Sequence, residues 1–453
     1  MNADPINRRQ FLRQVAATGG LTAAAAALPS GARAATSTDR KIVIGIMGTG
    51  GRGTWLLEQD LTKRNNLEIA WLCDADESRL NQAAKLVEER TGRRPRLTNE
   101  FQRILDDKSV HAFFNITPDH WHALPTILAC QAGKDVYVEK PASHNLWEGR
   151  KMVEAARKYR RVVQLGTQTR SAPYSFQAVE FLRAGKIGDI HLVRVFNMKR
   201  NEPVPPKPDA SAPPGVDYDK WLGAAPLRPF NPNRFHYSWH WFWDYSGGDI
   251  INDGVHQIDA ARMLIGRQSP KAVTAVGGKL AYHDATETPD TQIVTWEFDD
   301  DLFMTFELTL WTPHMQKEIW EHRDLDEFPD WRWDATQIEV HGTKGMMKFG
   351  RHGGGWQAWN PDWKEIANCP GRHPHGPHLD NFFECIETRK RPNADIEEGH
   401  LSTVLCHLGN ISYRVGGRRL LFDGKTETFP RDEEANKLLK RTYRSPWIVP
   451  ETV

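Results

Sequence analysis

Between Lys41 and Asp60 the chain passes from a short apolar run through Gly48-Thr49-Gly50-Gly51-Arg52-Gly53 into a helical pattern. No other feature constrains the fold as strongly. Lys41–Met47 is β-branched, apolar and too short for a buried helix, so it reads as a buried strand. In a strand–loop–helix of this kind Gly48 makes the tight turn and Gly50 lets backbone approach a diphosphate. Gly53 lets the helix pack close to the strand. The free N–H groups and dipole at the helix start favour an anion. Thr49, Gly51 and Arg52 complete the loop. A dinucleotide-binding parallel sheet is the expected frame.

The downstream pattern agrees with that frame. Leu67–Cys73, Val110–Ile116, Asp135–Val138 and Val162–Leu165 read as further strands, alternating with helices at Glu77–Thr91, after Thr117-Pro118-Asp119, and up to Tyr159. Such alternation marks an α/β, Rossmann-type doubly wound parallel sheet. Lys140 closes one of these strands in Val136-Tyr137-Val138-Glu139-Lys140-Pro141. Ligands of such sheets lie outside the carboxyl ends of the strands, so Lys140 is expected to face the cofactor. Asp74 ends the second strand 21 positions after Gly53. A carboxylate there accepts hydrogen bonds from ribose hydroxyls and repels a 2′-phosphate, which favours NAD. Arg52 and Arg79 are phosphate-partner candidates that leave NADP open.

After about Gln168 the grammar changes. Ile190–Met198, Lys271–Tyr282, Thr291–Phe298 and Leu302–Trp311 read as strands, and Gln337–His341 with Met346–Phe349 as a hairpin. This predicts an α+β domain with an open, mainly antiparallel sheet. Helices at Asp253–Ile265, His378–Arg389 and Glu398–Tyr413 are expected to cover one face. The expected division is a leader at 1–34, a nucleotide domain at 40–167, a substrate and oligomerisation domain at 168–432, and a polar helix and tail at 433–453. A homo-oligomer, dimer or tetramer, is expected.

With 453 residues, two domains suit the chain better than one core. Lys and Arg total 59 against 58 Asp and Glu, so no strong field invites nucleic acid. Five scattered cysteines without a C-x-x-C pair argue against a disulfide framework and a zinc site, and no metal is expected. Seventeen tryptophans tilt toward a carbohydrate ligand. At the start, Asn7-Arg8-Arg9-Gln10-Phe11-Leu12-Arg13 resembles a twin-arginine export signal. It precedes an Ala-rich stretch ending in Ala32-Arg33-Ala34. That stretch is too short and interrupted to span a bilayer stably, so an exported, periplasmic or extracytoplasmic protein is expected.

Four elements in order carry a more specific resemblance: Gly48–Gly53, Thr117-Pro118-Asp119-His120-Trp121-His122, Glu139-Lys140-Pro141, and Gly247-Gly248 followed by Gly254-Val255-His256-Gln257-Ile258-Asp259. Together they resemble the glucose–fructose oxidoreductase/inositol dehydrogenase (Gfo/Idh/MocA) family over essentially the whole mature chain. The resemblance implies that Lys140 lies beside the nicotinamide and polarises a substrate oxygen. It makes His256 the proton acceptor or a substrate hydrogen-bond partner. It places Thr117, Pro118, Asp119, His122 and Glu139 on the cofactor side.

One position departs from the family pattern. Many members carry an aspartate four residues before the histidine, where this chain has Asn252, with Asp253 following. Asparagine orients a hydroxyl but accepts no proton, leaving His256 alone as base, Asp253 from an adjusted turn, or a reaction other than simple dehydrogenation. Gln168, Arg170, His240, His375 and His378 are the remaining substrate-side candidates. His240 belongs to the aromatic run Phe235–Trp243, a candidate sugar platform.

The resulting expectation is an NAD(P)-dependent oxidoreductase acting on a CH–OH group of a sugar, glycoside or polyol. Outside the cytoplasm there is no nicotinamide pool, so the cofactor would be tightly held and recycled internally. The alternatives are redox-neutral glycoside cleavage by oxidation, elimination and reduction, and a non-catalytic sugar-binding protein.

Overall fold

The computed structural model describes residues 41–317 and 323–453. The export-signal reading lies outside the described residues. None of the described helices is long and apolar enough to cross a membrane.

The first half builds a six-stranded, all-parallel sheet from β1 (Ile42–Met47), β2 (Leu67–Cys73), β3 (Arg96–Thr98), β4 (Ala112–Asn115), β5 (Asp135–Val138) and β6 (Val163–Leu165), in the order β3-β2-β1-β4-β5-β6. The strand order reverses between β1 and β4, the crevice where such sheets take ligands. Both faces are buried, so the strands read as nearly continuous apolar runs. Alternate side chains still part to opposite layers: Phe113, Val136 and Val138 join one core, and Phe114 and Tyr137 the other. The crossover helices that matter for the site are α1 (Gly51–Gln59) and α2 (Glu77–Thr91).

The second sheet has nine strands: β7 (Ile190–Met198), β8 (Ala272–Gly278), β9 (Thr291–Glu297), β10 (Phe303–Thr309), β11 (Ile338–Gly342), β12 (Gly345–Phe349), β13 (Trp356–Trp359), β14 (Glu365–Cys369) and β15 (Leu420–Leu421), ordered β14-β13-β12-β11-β7-β10-β9-β8-β15. It is antiparallel except where β10 pairs with β7. Val193, Val195, Val294, Trp296, Met304 and Phe306 point from alternate positions into one core, beneath α3 (Val255–Ile265) and α5 (Ile396–Arg414). The Trp296 indole donates to the Leu405 carbonyl of α5 at 3.1 Å. The outer face exposes Val276, Ile293 and Phe303.

Two differences from the sequence reading concern what covers what. Helix α4 (His375–Thr388) was expected on the antiparallel sheet, but it lies on the parallel one. Its Leu379, Phe382 and Phe383 enter the core with Phe114 and Tyr137, and Phe382 meets both rings edge-on. The polar helix expected over 433–453 is a single turn, Glu433–Asn436. Beyond it the chain runs irregularly through Pro446 and Pro450, residues that do not continue a helix. It docks on the nucleotide half, where Val449 and Val453 are buried and Trp447 packs edge-on to Trp121.

Candidate active site

A cleft of about 890 Å³ opens along the carboxyl ends of the parallel strands. One wall comes from the loops after β1, β2, β4, β5 and β6, through the glycine loop with Arg52, Asp74, Thr117–Asp119, Glu139–Lys140 and Gln168. The other wall comes from the second half, through Lys199, His236, Tyr237, His240, Asn252, Asp253, His256, Lys317, Arg323, Arg351, His373 and His375. Trp447 of the tail closes one end.

The loop geometry fits a dinucleotide. Gly48 sits at φ +94°, and a Cβ there would fall 2.2 Å from the Ile116 carbonyl oxygen. A Cβ at Gly53 would fall 2.2 Å from the Gly48 carbonyl oxygen, so only glycine lets α1 start this close to β1. The first turn of α1 has no acidic residue and Gly50 caps it without a side chain, leaving its N–H groups and dipole open to a diphosphate. Asp74 is held at the mouth: Oδ2 accepts from Thr49 N (2.7 Å) and Thr49 Oγ1 (3.0 Å), and Oδ1 from Asp76 N (2.9 Å). Thr49 thus serves the carboxylate instead of lining the cleft. Arg52 is committed to Glu139, Nε to Oε1 at 2.8 Å, while Arg79 remains beside Gly50 and lines the cleft. Burial opposes ionisation of Glu139, but Arg52 and Lys140 outweigh it and hold the carboxyl below its usual range.

Lys140 reaches across the cleft to the other half. Its Nζ donates to the Asn252 carbonyl oxygen at 2.7 Å and to Asn252 Oδ1 at 3.2 Å. Asn252 Nδ2 in turn donates to Asp249 Oδ1 at 3.2 Å. Asn252 lies in a π-helical turn, Ile250–Gly254, immediately before α3. Such turns are rare and recur at functional sites. The turn directs Asn252 to Lys140 and sends the neighbouring Asp253 elsewhere. Asp253 meets Lys199, Lys317 and Arg351, so it is not an unengaged base.

His256 stands in the first turn of α3 and lines the cleft, with no hydrogen-bond partner among the described residues. Burial, then Arg351, Lys140 and Arg52, push its imidazole well below its ordinary titration range. It is neutral and poorly placed to store a proton. Asp119 behaves oppositely. It is buried against the same cleft, its Oδ2 accepts from Ser246 Oγ at 2.5 Å, and burial lifts its carboxyl to about 7, with Lys140 and Ser246 pulling the other way. Asp119 is also the strongest charge favouring the Lys140 ammonium, which burial pushes down. Ser246 lines a second cavity of about 260 Å³ behind the cleft, so the Asp119–Ser246 bond bridges the wall between them.

Three candidates lie elsewhere. His122 is fully buried, with Nδ1 2.6 Å from the Pro141 carbonyl oxygen and Nε2 2.9 Å from that of Thr117. It ties the Thr117 loop to the Lys140 loop without reaching the cleft. Arg170 Nε is bound to both oxygens of Asp259 at 2.8 and 2.9 Å inside the second half. His378 is spent on Ser171 Oγ (3.0 Å) and the Leu165 carbonyl (3.1 Å). Gln168, His240 and His375 do line the cleft. In the aromatic run, Phe235, Trp239 and Phe242 enter a core cluster, while Tyr237 stays 64% exposed at the mouth.

Sequence reasoning missed Lys199, Lys317, Arg323, Arg351 and His352. Lys199 follows β7 as Lys140 follows β5, a strand-end signal that was available. Arg351 and Lys317 sit in loops whose composition carries no pattern.

Three stretches of the chain match models of a single family. Residues 42–167 match the oxidoreductase family's NAD-binding Rossmann fold, 224–348 the GFO/IDH/MocA C-terminal domain, and 340–449 the family's C-terminal alpha/beta domain. The chain belongs to the GFO/IDH/MocA oxidoreductase family. It is similar to the uncharacterized oxidoreductase YrbE of Bacillus subtilis, 25% identical over 58% of this chain and 65% of that one. It is also similar to levoglucosan dehydrogenase of Pseudarthrobacter phenanthrenivorans, 29% identical over 40% of this chain and 38% of the relative. The chain therefore spans less than two thirds of the length of either relative. Among solved structures, the WlbA dehydrogenase of Bordetella pertussis, in complex with NADH and UDP-GlcNAcA, superposes with a TM-score of 0.62. It is 20% identical, over 85% of this chain and 99% of that one, a likeness of fold.

Proposed function

We propose that the protein is an NAD-dependent dehydrogenase of a sugar, glycoside or polyol CH–OH group. The observation that carries this reading is the Lys140 ammonium, held by Asn252 on the far wall of a cleft whose near wall is the glycine loop and Asp74. Gly48–Gly53 and Asp74 would hold the dinucleotide, which supplies the hydride acceptor when bound. Lys140 stabilises the substrate oxygen as it gains alkoxide character. His256, held neutral and without a hydrogen-bond partner among the described residues, orients the hydroxyl by a hydrogen bond. Asp119, near neutrality in its titration, takes the proton and exchanges it through Ser246 toward the rear cavity. Tyr237 offers an aromatic face for the sugar ring.

The reading extends to location and turnover. An N-terminal twin-arginine signal would carry a folded, cofactor-loaded protein out of the cytoplasm, where the nucleotide must stay bound and be restored by a second sugar. Denaturing the purified protein and identifying the released nucleotide tests this, together with oxidation of one sugar coupled to reduction of another without added NAD. Nucleotide-free protein that turns over only with millimolar added NAD would contradict retention. A free aglycone without net oxidation would move the reading to redox-neutral glycoside cleavage.

A further inference from the structure

Among the described residues, three cations of separate origin converge on one carboxylate at the substrate end of the cleft. On the π turn, Asp253 Oδ2 is met by Lys199 Nζ at 2.9 Å and by Lys317 Nζ, and Oδ1 by Arg351 Nη2 at 3.1 Å. Asp249 shares Lys199, and it also accepts from Asn197 Nδ2 at 2.5 Å. Three cations therefore meet these two carboxylates, while Lys140 is turned to Asn252. Asp119, lifted to about 7, is set against Lys140, and Glu139 is taken by Arg52.

Of the other polar groups, Asp334 acts on Arg351 from behind the wall and the histidines carry no negative charge. His256, His352, His373 and His375 are all held neutral, by burial first and by neighbouring cations, so they add hydrogen-bonding capacity without negative charge. Among the described residues no other carboxylate lines this wall. The three cations on Asp253 arrive from separate segments, after β7, after β10 and after β12. A purely structural ion pair needs one of them. Crowding them together is unfavourable: burial, then Lys199 and Arg351, push Lys317 well down, while burial and Arg52 lower the Arg351 guanidinium to about 9.

We propose that this end of the cleft binds an anionic substituent of the substrate, a carboxylate or a phosphate borne by the sugar, through Arg351 and Lys317 with Lys199 behind them. The inference rests on the sugar-dehydrogenase reading and deepens it. An arriving anion supplies the missing negative charge, and the planar guanidinium of Arg351 presents parallel N–H groups that suit either oxyanion. Lys317, the more exposed of the two ammonium groups on Asp253, completes the contact.

Calorimetric titration of the nucleotide-loaded protein with methyl β-glucoside, methyl β-glucuronide and glucose 6-phosphate tests the proposal. At least one charged ligand is expected to bind about 10-fold or more tightly than the neutral one, the scale of one added charge-assisted hydrogen bond. Whichever charged ligand wins identifies carboxylate or phosphate. The advantage should shrink with added salt and in both Arg351→Met and Lys317→Met. Lys317, less buried than Arg351, keeps the test valid if the Arg351 variant misfolds. Equal or tighter binding of the neutral glucoside, with that glucoside reducing the bound nucleotide, overturns this inference and leaves the dehydrogenase reading standing. Failure of every sugar to bind or to reduce the nucleotide overturns both.

Discussion

Lys140→Ala is expected to lower turnover by about 10²- to 10³-fold, the loss found when one preorganised donor to a developing oxyanion is removed. The ammonium is a donor of that kind. It is half-buried, is anchored by two bonds to Asn252, and needs no reorganisation to meet an oxygen gaining negative charge. The nucleotide should remain, because the glycine loop and Asp74 hold it without Lys140. Stopped-flow kinetics on protein with a measured nucleotide content checks this. Full turnover in the variant would remove Lys140 from the chemistry. Loss of nucleotide would make it a binding residue.

The second large effect concerns the proton. In the oxidation direction Asp119 must be ionised to accept, so wild-type turnover should rise with pH through about 7 and level off above. In the reduction direction the carboxyl must be protonated, so the rate falls over the same interval. Asp119→Asn keeps the shape and the Ser246 contact but removes the acceptor. It is expected to cost about 10²-fold or more in turnover, within the range of general acid–base catalysis, and to abolish the step near pH 7. A retained step with only a raised KM would return the proton to His256. The cationic neighbours of His256 argue for Asp119.

Much of the frame was legible because local and tertiary signals agree in it. Strand–glycine–helix order, the strand-end positions of Asp74 and Lys140, and the alternation in β9 and β10 each follow from short-range chemistry. The site was legible where a residue ends a strand of the parallel sheet. It was not legible where side-chain direction decides. Arg170 follows a strand end and His378 opens a helix, yet both turn to buried partners, and His122 is spent as a tie between two loops. Nothing local distinguishes those fates from cleft exposure. The π turn was hidden as well. It sets Asn252 on Lys140 and Asp253 among three cations, a separation that one-residue sequence spacing cannot express. Helix α4 shows the same limit for packing, since its apolar face would serve either sheet, and Phe114 with Tyr137 is where it goes.

The central claim is that the Lys140 cleft moves hydride between a sugar carbon and a bound nicotinamide. The most direct measurement is the absorbance of the bound nucleotide in a single turnover, recorded as a panel of neutral and acidic sugars is added to the purified protein. The account predicts that at least one sugar converts the bound nucleotide from oxidised to reduced form, and that a keto sugar then reverses it. Sugars that bind at this cleft and leave the nucleotide's redox state unchanged in both directions would contradict it.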